Sequence, residues 1–171
     1  LGGLDHLFNN AGIVIHKSAY DVTPEEWAHV INVNLNGEYY MASEFARYLK
    51  GKGKKGAICN TASMSGHIVN WPQEQASYNA SKAAVIQMTK SLAVEYCKDG
   101  IRVNCISPGY MYTELTCHVN PDWQERWMDL TPYGRYGTPD ELCGAVIYLL
   151  SDSASFTSGT DIIVDGCFTC V

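Results

Sequence analysis

Four short apolar runs constrain this chain most. Each ends in a polar or glycine-bearing cluster, and helical stretches lie between them. Residues 4–8 end at Asn9-Asn10-Ala11-Gly12, and residues 57–60 at Thr61-Ala62-Ser63. Residues 101–106 end at Ser107-Pro108-Gly109, and residues 160–164 at Asp165-Gly166. Runs of this length bounded by turn residues read as strands. A helix over residues 24–34 opens on Thr23-Pro24-Glu25-Glu26. Threonine can cap, proline suits the first turn, and Glu26 completes a capping box. A second helix covers 37–49, with Tyr40, Ala42, Phe45, Ala46 and Leu49 as its buried stripe. The longest covers 77–97, offers Ala83, Ala84, Ile86, Met88 and Leu92 for packing, and stops at Gly100. Residues 120–130 form a helix carrying Trp123 and Trp127, and Thr138-Pro139-Asp140-Glu141 starts another that runs to 150. Apolar strands alternating with helices imply an α/β fold: a parallel sheet covered by helices on both faces, in three layers.

In such sheets, ligands bind beyond the carboxyl ends of the strands. The clusters at 9–12, 61–65 and 107–113 all fall there. Ser77-Tyr78-Asn79-Ala80-Ser81-Lys82 adds a reactive pair, because Tyr78 and Lys82 share one face of the longest helix. A phenol ordinarily titrates near pH ~10. A neighbouring ammonium favours the phenolate, so the pair can serve as an acid–base device. On spacing alone, most Tyr/Lys pairs of this kind are simply solvated helix surface.

The length fits one domain over residues 1–171, and a hydrophobic content of 46% suffices for a core. Twelve Lys and Arg against eighteen Asp and Glu give a net charge of -6, which argues against a nucleic-acid partner. No apolar run reaches membrane-spanning length. The Leu1-Gly2-Gly3-Leu4-Asp5 start lacks the basic and apolar parts of a signal peptide, so a cytoplasmic protein is expected. Asn79-Ala80-Ser81 then matches a glycosylation sequon only by chance. The seven cysteines are odd in number and scattered, unlike a disulfide framework. Cys167 and Cys170 have redox or zinc spacing, but no second ligand cluster accompanies them. The histidines form no metal motif, so no metal is expected. Gly51-Lys52-Gly53-Lys54-Lys55-Gly56 lacks the order and the Ser/Thr of a phosphate loop and reads as a solvated turn.

The ordered set resembles the short-chain dehydrogenase/reductase family. Asn9-Asn10-Ala11-Gly12 follows the first strand, Asn34 sits in Asn32-Val33-Asn34-Leu35-Asn36-Gly37, and Ser63 follows the second strand. Tyr78 and Lys82 come next, then Pro108-Gly109 with Thr113. The segments 61–70 and 164–170 look most like fungal NADP-dependent polyol and ketose reductases, the mannitol dehydrogenase, sorbose reductase and xylulose reductase relatives. The resemblance implies a Rossmann-like oxidoreductase. Hydride would pass between a nicotinamide cofactor and a ketone, ketose or polyol. Tyr78 would exchange the proton, Lys82 would assist it and bond the nicotinamide ribose, and Ser63 would hold the substrate oxygen. Asn34 would hold a water in a relay to Lys82. Asn9, Ala11 and Gly12 would flank the adenine-side ribose and the central sheet. Pro108, Gly109, Tyr110 and Thr113 would border the nicotinamide. Ser63 precedes Tyr78 by fifteen residues and Ser65 by thirteen; the strand-end context favours Ser63, with Ser65 as the alternative. The helix bearing Trp123 and Trp127 either covers the substrate or packs under a surface loop.

The family's glycine fingerprint and the residue that selects NAD or NADP fall upstream of Asn9. NADP is the expected cofactor by resemblance, and NAD is the alternative. The chain starts just before the family's fourth strand, so strands 4 to 7 are expected and strands 1 to 3 are not. Gly2-Gly3 cannot replace the fingerprint, because no strand precedes it. The sequence therefore reads as the C-terminal portion of a single Rossmann-like domain, which alone would bind cofactor poorly and tend to aggregate. A truncated, inactive relative that acts by binding a partner is the competing reading. By resemblance the intact protein is a homo-tetramer or dimer, assembled through residues 37–49, the Tyr78 helix and the last strand.

Overall fold

The structure is a computed structural model that describes residues 3–171. The readings that rest on Leu1 and Gly2 lie outside the described residues. Strands β1 (His6–Asn9), β2 (Gly56–Thr61), β3 (Ile101–Pro108) and β4 (Asp161–Val164) form one sheet in that order. Every pairing is parallel. Asn9 lies beside Asn60, and Asn60 beside Cys105, so β1 and β2 end level while β3 runs on to Pro108. Helices α1 (Pro24–Ile31), α2 (Glu38–Lys52) and α3 (Ala76–Tyr96) precede β3; α4 (Glu114–Cys117), α5 (Pro121–Leu130) and α6 (Asp140–Leu150) separate β3 from β4.

Strand periodicity assigns neighbouring residues to opposite faces. Ile58, Ile101 and Val103 pack with Ala42, Phe45 and Leu49 of α2 and Leu92 of α3. Tyr40, expected in the same buried stripe, is instead 60% exposed, because it lies off the face that α2 turns to the sheet. Cys59 and Ile106 turn the other way, onto Leu149 of α6 and the Leu142 and Val146 beside it. The three layers predicted from apolar strands are therefore present. Among the described residues β1 pairs only with β2, and Phe8 on it is 41% exposed.

Thr23 caps α1 as predicted: Glu26 N donates to Thr23 Oγ1 at 3.2 Å, and Thr23 N donates to Glu26 Oε2 at 2.9 Å. The matching start at Thr138 forms half of the box. Thr138 N donates to Glu141 Oε2 at 2.8 Å, but the Thr138 side chain does not cap α6. Gly100 ends the run after α3 with φ 72°, a left-handed position that glycine adopts without strain.

Three boundaries differ from the sequence reading: α2 runs on to Lys52, into the stretch expected as a turn, β3 runs on to Pro108, and the join between the first two helices is continuous. The chain does not break between residues 34 and 37; Asn32–Gly37 forms a π-helical segment that joins α1 to α2. Such a segment reflects tertiary demand. Here Asn34 is fully buried and bonded to two other segments of the chain. No helix among the described residues is long and apolar enough to cross a membrane.

Candidate active site

A cavity of about 370 Å³ opens where β2 and β3 end. Ser63, Tyr78, Lys82, Gly12, Pro108, Gly109, Tyr110 and Thr113 all line it, although they come from four separate segments. Asn9, Ala11 and Asn34 are not part of its lining.

Ser63 follows β2 in extended conformation, and its Oγ accepts from Ser65 N at 3.1 Å. That bond starts a single turn of 3-10 helix, Met64–Gly66, which docks on α3. A Cβ at Gly66 would lie 2.9 Å from Ala83 N and 2.9 Å from the Lys82 carbonyl carbon. Only glycine lets the serine turn approach the helix this closely. Ser65 also lines the cavity, and its Oγ accepts from Gln75 Nε2 at 3.4 Å. Both serines therefore face the same space, and Ser63 stands nearer the strand end.

Tyr78 is half-buried, whereas Lys82 is buried. The ammonium of Lys82 lies 5.9 Å from the Tyr78 ring centroid. It donates to Thr61 O at 2.5 Å and to Glu38 Oε1 at 3.4 Å. A buried ammonium needs such partners, because an uncompensated charge away from water is costly. Gly12 lies beside it: a Cβ there would come 3.5 Å from Lys82 Nζ and 3.5 Å from Asn34 Oδ1. Burial pushes the Glu38 carboxyl up to about 7, and the adjacent Lys82 charge opposes that rise.

The side chains of Asn9 and Asn34 bond to neighbouring segments of the fold. Asn9 Nδ2 donates to Glu38 O at 3.1 Å and to Asn60 Oδ1 at 2.9 Å, which ties β1 to α2 and β2. Asn34 Oδ1 accepts from Ile13 N at 2.8 Å, while its Nδ2 donates to Ile13 O at 2.9 Å and Ser81 Oγ at 3.0 Å. These bonds fix the segment after β1 against α3. Both carboxamides are engaged by protein groups. Ala11 is exposed outside the cavity.

A buried polar network surrounds Tyr110; the sequence reading named Tyr110 and the Trp127 helix, but not Asn70, Gln73 and Gln75, which join them. Tyr110 OH accepts from Asn70 Nδ2 at 3.1 Å and Gln73 Nε2 at 2.9 Å. Its ring stacks on Trp127, with centroids 4.3 Å apart. Trp127 Nε1 donates to Gln73 Oε1 at 2.8 Å, and Gln75 Nε2 donates to Asn70 Oδ1 at 3.1 Å. Trp127 is buried and lines the cavity, so α5 forms part of its wall. Burial raises the Tyr110 phenol above its ordinary range, which keeps it protonated. His16 also lines the cavity, and burial lowers its pKa. All seven cysteines are unpaired; Cys167 and Cys170 are exposed. No group of three or more metal-ligating side chains occurs among the described residues.

This arrangement defines a class: a Rossmann-like α/β fold with a Ser-Tyr-Lys constellation at the strand ends. The family model described as enoyl-(acyl carrier protein) reductase matches residues 1–169. The chain belongs to the short-chain dehydrogenase/reductase family. It is 49% identical over 168 residues to sorbose reductase sou1 of Schizosaccharomyces pombe, covering 97% of this chain and 65% of that protein. It is 44% identical to an NADP-dependent mannitol dehydrogenase of Hypocrea jecorina, covering 98% of this chain and 62% of that protein. A gluconate 5-dehydrogenase from Burkholderia cenocepacia J2315, solved with NADP and tartrate, superposes with a TM-score of 0.94 at 34% identity, covering all of this chain and 67% of that one. The chain thus spans less than two thirds of the length of the two curated relatives.

Proposed function

We propose that the full-length protein is an NADP-dependent oxidoreductase that interconverts a ketose and a polyol, and that this chain carries its proton-transfer machinery. The observation that carries the reading is the convergence of Ser63, Tyr78 and Lys82 on one cavity at the strand ends. The named activities of the sorbose reductase and mannitol dehydrogenase relatives support the substrate class. NADP in the names of the mannitol dehydrogenase and the gluconate dehydrogenase complex supports the cofactor.

The residues present fit a nicotinamide nucleotide. Two N–H groups of Lys82 are bonded to protein oxygens, and the third remains for a ribose hydroxyl. Gly12 leaves the approach to that ammonium free of a side chain. Gly109 gives β3 a tight exit beside β4, since a Cβ there would lie 2.6 Å from Asp165 Cα. When bound, the nicotinamide supplies or accepts the hydride.

In the reducing direction, Tyr78 donates its phenolic proton to the substrate oxygen, and Ser63 Oγ–H holds that oxygen by hydrogen bonding. Lys82 compensates the negative charge left on the phenol. In the oxidising direction the phenolate accepts the proton from the alcohol. Tyr110, braced by Asn70, Gln73 and Trp127, forms the wall against which the polyhydroxyl chain lies. Exposed apolar residues on the proposed assembly elements, Tyr39, Tyr40 and Met41 of α2, Val94 of α3 and Ile163 of β4, support a homo-oligomer.

The test is oxidation of NADPH and NADH by the purified full-length gene product across a panel of ketoses, with simple ketones as comparison. The proposal predicts turnover of at least one ketose with NADPH preferred. Binding of neither cofactor by the folded protein would favour the inactive, partner-binding reading.

A further inference from the structure

The carboxyl of Glu38 has no part in the chemistry above, yet it lies against the centre of it. Glu38 opens α2 and is 3% exposed. Its Oε1 stands 3.4 Å from Lys82 Nζ, and its Oε2 is buried with no hydrogen-bond partner. From α3 the charged group facing it is Lys82, and from β2 the titratable neighbour is Cys59. Burial, with Glu38 and Asp161 adding to it, pushes the Cys59 thiol up to about 12, so it stays neutral. β1 contributes only the uncharged Asn9. Lys82 is thus the one counter-charge in contact with this carboxylate among the described residues.

Two protein oxygens hold the ammonium: Thr61 O and Glu38 Oε1 accept from it, and Gly12 beside it adds no side chain. A buried carboxylate with a free oxygen is a poor structural filler, because an apolar residue of similar size would cost less to bury. Its place beside Lys82 gives it a different use.

We infer that Glu38 is a positioning residue: when ionised, it anchors the Lys82 ammonium so that the remaining N–H points into the cavity, and when neutral it surrenders that anchor. The inference rests on the reading of Tyr78 and Lys82 as the reacting pair. It assigns the site a proton-sensitive support near neutrality, in line with the raised titration range of Glu38. Glu38→Gln keeps the shape and a hydrogen-bond acceptor but imitates the neutral form at every pH.

The experiment compares kcat/KM of full-length wild type and Glu38→Gln from pH 5.5 to 9. Tyr78→Phe serves as control. The wild-type to Glu38→Gln ratio is near one at the acid end and rises to roughly tenfold above pH 8, as displacement of a positioned group costs rate. A second readout needs no turnover. Carbon-13 NMR of protein labelled at the glutamate carboxyl carbons shows one resonance with a near-neutral midpoint. That resonance is missing in Glu38→Gln, and its midpoint rises in Lys82→Met. If Glu38→Gln does not fold, the NMR comparison of wild type with Lys82→Met carries the test. A ratio constant with pH, or glutamates that all titrate in the ordinary range, overturns the inference. An active Tyr78→Phe overturns the reading beneath it instead, so the two failures are distinct.

Discussion

Glu38→Gln has a consequence for stability that is independent of catalysis. The carboxyl moves from an ordinary 4.5 to about 7 on folding, mainly through burial. A folded-state pKa above the unfolded value means the fold prefers the protonated acid. The resulting stability is fully present below pH 4.5 and disappears as pH rises through 7. Between pH 5 and pH 8 the wild type therefore loses about 2 to 3 kcal/mol that glutamine, having no proton to lose, retains. The assay is urea unfolding of both full-length proteins at pH 5, 6, 7 and 8, followed by tryptophan fluorescence. Glu38→Gln gains on the wild type by that amount across the window, with most of the change below pH 7. A stability difference that is flat with pH would refute the reasoning, since it would mean that Glu38 titrates at the same pH folded and unfolded.

Three further substitutions probe separate parts of the site. Ser63→Ala lowers kcat/KM by about 100-fold or more, the scale of a lost transition-state hydrogen-bond donor. Ser65→Ala lowers it far less, and the reverse order in steady-state kinetics would transfer the substrate contact to Ser65. Gly66→Ala places a Cβ 2.8 Å from Ile86 Cδ1 and 2.9 Å from Ala83 N, so the serine turn must lift from α3. A loss of about 1–3 kcal/mol in urea unfolding is expected, together with lower kcat. Trp127→Phe keeps an aromatic ring beside Tyr110 but leaves Gln73 Oε1 without its donor. It costs about 1–3 kcal/mol in unfolding experiments and raises KM for the polyol more than for the nucleotide.

Much of the scaffold was legible because its signals are local. The Thr23 box needs four consecutive residues, and the strands announce themselves by apolar runs ended with turn residues. The strand-end rule then locates the ligand side, which is where Ser63, Tyr78 and Lys82 meet. Features set by distant contacts were not legible. Glu38 follows a glycine and precedes two tyrosines, and nothing adjacent distinguishes it from a solvated helix charge. Its burial depends on Lys82, 44 positions away in sequence. The Gln73–Trp127 bond spans 54 positions. Asn34 sits in a recognisable motif, but its bonds to Ile13 and Ser81 require the π-helical segment, which no local pattern announces.

The central claim is that Tyr78 transfers the proton. Its most direct test is the single-turnover rate of ketose reduction by full-length wild type and Tyr78→Phe, each saturated with NADPH. Loss of the phenolic proton should slow the chemical step by about 100-fold to 10,000-fold, with nucleotide affinity little changed. A Tyr78→Phe protein that reduces the ketose at the wild-type rate would contradict the claim and move the proton donor elsewhere in the cavity.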